Sequence, residues 1–134
     1  MSTVLLDPGV RAFLEKPRTA YISTIDLDQF PHTVPVWFAV DGDDIIFSAQ
    51  KSRARLKHIE VNPNGSVTIG GDMGDTEGYM LKGKFHIDES SDPSVRHRIV
   101  HRYMEGDAAE QMITHSEAGS CLMRFTPEKI IRVR

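Results

Sequence analysis

Lys51, Arg53, Arg55 and Lys57, with Ser52 among them, form the densest group of positive side chains in the 134-residue chain. The group follows a β-forming run that ends near Ala49 and surrounds the apolar residue Leu56, with Ile59 just beyond. Ser52 reads as an N-cap, which predicts a helix to about Val61, before Pro63. Cations in a helix's first turn oppose its macrodipole by about 0.3–1 kcal/mol each, so this placement makes sense if an anion sits there. Backbone N–H groups at a helix start, together with two guanidinium forks, suit a phosphate monoester. A solvated basic face is the competing reading.

Other reactive residues carry weaker patterns. His97 and His101 stand four apart on a predicted helix, but no nearby Cys, Asp or Glu in the sequence completes a ligand set, so exposed helix polarity is expected and no metal. Cys121 falls in a predicted strand, where burial as a small hydrophobe is the default. Trp37, the single tryptophan, either packs in the core or borders a planar ligand. Gly83 stands where an apolar side chain would alternate, marking a bulge or a close approach of something to the backbone. The methionines form no stripe and read as core filler.

The elements that must position these residues begin with Asp7-Pro8, an N-cap followed by proline at the first helical position, opening a short helix to about Lys16-Pro17. Thr19–Ile25 is the first strand. In His32–Val40 the residues Val34, Val36, Phe38 and Val40 alternate, and Pro35 suggests an edge or a bulge. The Asp41–Asp44 turn closes a hairpin onto Ile45–Ala49. Beyond the basic helix, strands at Ser66–Ile69 and Tyr79–Ile87 flank a polar loop. A helix from Pro93-Ser94 carries Val95, Ile99, Val100, Tyr103 and Met104, and Asp107–His115 is expected to add a turn or two. Ser120–Phe125 and Lys129–Val133 read as a final hairpin around Thr126-Pro127-Glu128. The result is six or seven short antiparallel strands on one core with flanking helices, a barrel, in a single domain spanning 1–134.

Composition excludes several classes. The net charge of −3 repels a polyanion, and the basic patch is short with no interleaved aromatics, which argues against nucleic acid. No apolar run is long enough to cross a bilayer. With one cysteine and no secretory pattern at the N-terminus, a cytoplasmic location is expected.

Several stretches taken together resemble the pyridoxamine 5′-phosphate oxidase-like split-barrel family, which includes FMN and coenzyme F420 users. They are Arg18–Thr24, Pro31–Phe38, Lys51 to Asn62-Pro63, Lys82-Gly83-Lys84 and Phe125–Ile130, in that order and spacing. The resemblance implies a homodimer with cofactor at the interface. It places the phosphate on Lys51, Ser52, Arg55 and Lys57, with Arg53 close by, and the ring against Val36, Trp37 and Phe38. Tyr79, Arg102 and Tyr103 are the candidates for touching a small-molecule substrate.

The C-terminal substrate segment of true pyridoxamine 5′-phosphate oxidases is missing, which argues against vitamin B6 oxidation. The compact length and Pro35-Val36-Trp37-Phe38 lean toward the F420 branch. The expected function is hydride transfer between F420 and a small conjugated molecule, with an FMN oxidoreductase or a non-catalytic flavin or deazaflavin binder as alternatives.

Overall fold

A computed structural model describes residues 7–50, 54–88, 93–116 and 120–133. Helix α1 (Pro8–Leu14) starts as the sequence predicts, with Asp7 Oδ1 accepting the Val10 N–H at 2.9 Å. Strands β1 (Ala20–Ile25), β2 (Pro31–Val36), β3 (Ala39–Asp41) and β4 (Asp44–Gln50) follow. Next come α2 (Ala54–Val61), β5 (Asn64–Gly70), β6 (Gly78–Asp88), α3 (Pro93–His101), α4 (Gly106–Ser116) and β7 (Ser120–Arg132).

The seven strands form one antiparallel sheet in the order β2-β1-β5-β6-β7-β4-β3. Its two edge strands are consecutive in the chain, joined only by Trp37 and Phe38. The sheet therefore curls into a barrel whose seam is crossed by a covalent link rather than a hydrogen-bonded ladder. Pro35, which has no N–H to donate, lies on the edge strand β2, as expected of a proline in a sheet.

The alternation through Val40 suggested one strand, but the chain breaks at Trp37-Phe38 because its halves pair with different partners, β2 with β1 and β3 with β4. The hydroxyl of Tyr103 fills the gap in the ladder. It accepts the Phe38 N–H at 3.2 Å and donates to the Arg18 carbonyl at 2.7 Å.

The proposed last hairpin is also absent. β7 runs unbroken through Thr126-Pro127-Glu128 against the eleven-residue β6. Lys82 faces Lys129 and Gly83 faces Pro127, so Glu128 is the extra residue of a bulge. A Cβ on Gly83 would stand 2.1 Å from the Thr126 carbonyl oxygen. What approaches Gly83 is the neighbouring strand.

Ile22, Phe47, Val67, Leu81, Phe85, Met123 and Phe125 fill the barrel. Leu56 and Ile59 attach α2 to that core, and buried His58 meets Thr24 Oγ1 at 3.0 Å. On the outside, Ile99 of α3 packs with Ala39, Ile46 and Leu122. Val100, Ala109 and Ile113 join α3 to α4. Trp37 packs against both outer clusters. The stretch expected to prolong α3 is instead a separate helix: the chain turns after His101, and Gly106 takes a left-handed φ of 63° where α4 starts. No helix among the described residues is long and apolar enough to cross a membrane.

Candidate functional site

A cavity of about 330 Å³ opens at the seam, between the end of β2, strand β4, the start of α2, and the α3–α4 pair. Pro35, Val36, Trp37, Ala49, Ile99, Val100 and Met112 make its apolar wall, and Ser48, Arg55 and Arg96 supply the polar groups. The seam explains the position. Where no ladder crosses from β2 to β3, the sheet leaves room beside the linking residues, and the outer helices roof it.

The indole of Trp37 is held flat against Tyr103, with ring centroids 4.7 Å apart and planes at 5°. With its hydroxyl tied to the seam and one ring face on Trp37, Tyr103 fixes the plane of the cavity's largest aromatic side chain. Burial raises the Tyr103 phenol pKa above its ordinary value, although its hydrogen bonds with the Phe38 and Arg18 backbone favour the opposite direction. The phenol therefore stays neutral and able to donate.

The two arginines reach the cavity from different helices. Arg55 lies in the first turn of α2, half-buried, and Arg96 lies on α3 with 8% of its surface exposed. Guanidinium stays charged even when largely removed from water, so both place positive charge beside an apolar wall.

Of the expected ligand-holding residues, the structure brings Val36, Trp37 and Arg55 to one cavity. Lys51, Ser52 and Arg53 lie outside the described residues. Lys57 is exposed and does not line the cavity. It stands two residues from Arg55, and on a helix such positions do not share a face. Phe38 is fully buried in the barrel core rather than on the cavity wall. Neighbouring residues of an extended chain point to opposite sides, so Trp37 outside requires Phe38 inside.

None of the three proposed substrate-contacting residues lines the cavity. Tyr79 packs edge-on to Phe13 at 5.2 Å and donates its hydroxyl proton to Glu77 Oε2 at 2.6 Å, the contact that does most to raise its pKa. Arg102 caps α1, its Nη2 donating to the carbonyls of Leu14 at 2.9 Å and Lys16 at 3.1 Å, while its side chain covers the Phe38 ring. Tyr103 acts from behind Trp37.

Arg96, Ser48 and Met112 line the cavity without having been expected from the sequence. Arg96 had a legible signal: it stands three and four residues before Ile99 and Val100, a charge on the helix's apolar stripe. Met112, read as filler, is 41% exposed and lines the cavity, whereas Met123 does fill the core.

The fold and site define a seven-stranded antiparallel split barrel with an arginine-bearing, aromatic-walled cavity at its seam. The family model for pyridoxamine 5′-phosphate oxidase matches residues 6–134, and the chain belongs to that family. Among solved structures, a conserved hypothetical protein from Mycobacterium tuberculosis aligns at a TM-score of 0.76 and 22% identity, covering 97% of this chain and 85% of the other. An F420 reductase aligns at 0.75 and 20%, covering 94% and 98%. The heme storage protein HutZ from Vibrio cholerae aligns at 0.72 and 15%, covering 96% and 94%. These likenesses establish the shared fold. A comparison with curated proteins finds no match.

Proposed function

We propose that this chain binds coenzyme F420 through its phosphate and acts as an oxidoreductase on a small conjugated organic molecule, with FMN as the alternative cofactor. The observation that carries the reading is the meeting of Arg55 and Arg96 with Trp37 in the lining of one cavity. Membership of the pyridoxamine 5′-phosphate oxidase family and the fold shared with an F420 reductase support it.

The residues present fit such a group. Arg55 and Arg96 supply forked donors for phosphate oxygens, and Lys51, Ser52 and Arg53 adjoin Arg55 in sequence. Val36, Trp37, Ile99, Val100 and Met112 exclude water and orient a planar ring system. When bound, the cofactor supplies hydride chemistry, leaving the chain to bind, orient and desolvate. No carboxylate, histidine or cysteine is among the described lining residues, in keeping with that division of labour.

The same lack of an acid–base group favours a second reading, a carrier of the same ligand without turnover. A cavity of about 330 Å³ is at the small end of ligand pockets, about 300–1,000 Å³. A second copy of the chain closing over the rest of the ligand is therefore part of the proposal.

A titration with F420, FMN and riboflavin, followed in the visible spectrum, tests the reading. F420 or FMN binds, and riboflavin, which lacks the phosphate, binds at least about tenfold more weakly. Equal affinity for FMN and riboflavin, or no binding of either F420 or FMN, overturns the phosphate site. Turnover of the reduced cofactor with conjugated acceptors then separates the enzyme from the carrier.

A further inference from the structure

We infer that His97, His101 and Glu110 form a binding site for a divalent transition-metal ion of the zinc class, on the outer face of the α3–α4 pair. One ligand atom from each residue lies within 4.8 Å of the other two. His101 Nε2 is 3.1 Å from Glu110 Oε1, and the two imidazoles lie side by side, with centroids 6.0 Å apart and planes at 26°.

In a tetrahedral site with bonds of about 2.0–2.1 Å, ligand atoms stand about 3.3 Å apart. The His101–Glu110 pair is already near that spacing. His97 closes the remainder by side-chain rotation, which these partly exposed groups permit. A surface hydrogen bond would account for His101 and Glu110 alone, and it contributes little. It gives no reason for a second imidazole to converge on the same point.

The two histidines present one face of α3, since they are four residues apart, and Glu110 arrives from α4 because the chain reverses between the helices. Nearby cations are committed elsewhere: Arg98 to Asp41 and the Val40 carbonyl, Arg102 to the end of α1. Two imidazole nitrogens and one carboxylate oxygen select zinc, nickel or copper over magnesium or calcium, which prefer all-oxygen shells. With three protein ligands, the ion keeps a position open to water.

Bound there, the ion pins α3 to α4, the two helices that roof the seam cavity through Ile99, Val100 and Met112. The inference does not depend on what occupies that cavity.

The test is calorimetric titration of the EDTA-treated full chain with Zn2+, in the native sequence and in His97→Asn, Glu110→Gln and the control His86→Asn. His86 is an exposed histidine on β6, outside the cluster. The native chain and the control bind one equivalent, and zinc raises their melting temperature. His97→Asn and Glu110→Gln each bind at least about tenfold more weakly, since loss of even an outer-shell partner costs about 10–100-fold. Because Glu110 is exposed, Glu110→Gln should melt like the native chain without metal, which separates lost binding from lost folding. Absence of zinc binding, or equal affinity in all four proteins, overturns the site.

Discussion

Two basic regions of this molecule look alike in sequence and differ in what surrounds them. At the seam, Arg55 and Arg96 are partly or largely buried beside Trp37, Val36 and Ile99. On the β5–β6 face, Lys82, Lys84 and Lys129 line a larger hollow of about 580 Å³. Lys82 and Lys129 are exposed, and Lys84 donates to Asn64 Oδ1 at 2.7 Å and lies 3.9 Å from Glu128. Charge density alone does not distinguish them. Low local dielectric, planar donor forks and an aromatic wall do, because they make an anion's contacts strong and directional. On the lysine face two of the three ammonium groups are exposed to water, which screens their pull on an anion.

The contrast sharpens most at Arg55. Arg55→Ala removes a charge-assisted contact, weakening FMN or F420 binding by about 1.5–3 kcal/mol, or roughly 10–150-fold, in a fluorescence titration. Gly83→Ala should show the reverse pattern. Its new methyl group meets backbone on β7, costing about 1–3 kcal/mol of stability in urea unfolding while ligand affinity per folded molecule holds.

Tyr103→Phe probes the support behind the seam site. It strips the partner from the Phe38 N–H and the Arg18 carbonyl, costing about 1–3 kcal/mol. It also changes the alkaline limb. With the folded phenol raised above the ordinary 10.0, its contribution to stability is full below pH 10.0 and is lost as pH rises from there through the folded pKa. Tyr79 is raised too, so Tyr103→Phe shallows the alkaline fall in melting temperature rather than abolishing it. The smallest effect belongs to the lysine face. Lys84→Ala should change ligand affinity by less than about 0.5 kcal/mol, and a larger loss would place the phosphate on the wrong side of the barrel.

What was legible from sequence was local. The Asp7 cap, the Asp41–Asp44 turn and the α2 helix follow from residue chemistry within a few positions. The seam was not, because Val34, Val36, Phe38 and Val40 keep their alternation while the chain changes pairing partner. Thr126-Pro127-Glu128 looks like a turn until Gly83 opposite makes room for it as a bulge. Val36, Trp37 and Arg55, named together by the family resemblance, do line one cavity. Lys57 and Phe38, which the resemblance names beside them, fall on the exposed side of α2 and in the barrel core, because neighbouring positions of a helix or an extended chain face different ways. Glu110 was invisible as a neighbour of His97 and His101, since only the reversal at Gly106 brings it back to them.

The most direct test uses the single tryptophan, which forms part of the seam wall. Titrating FMN or F420 into the protein should quench Trp37 emission saturably, with the same midpoint as ligand binding, and Arg55→Ala should shift that midpoint upward. Ligand binding that leaves Trp37 emission unchanged would contradict the account.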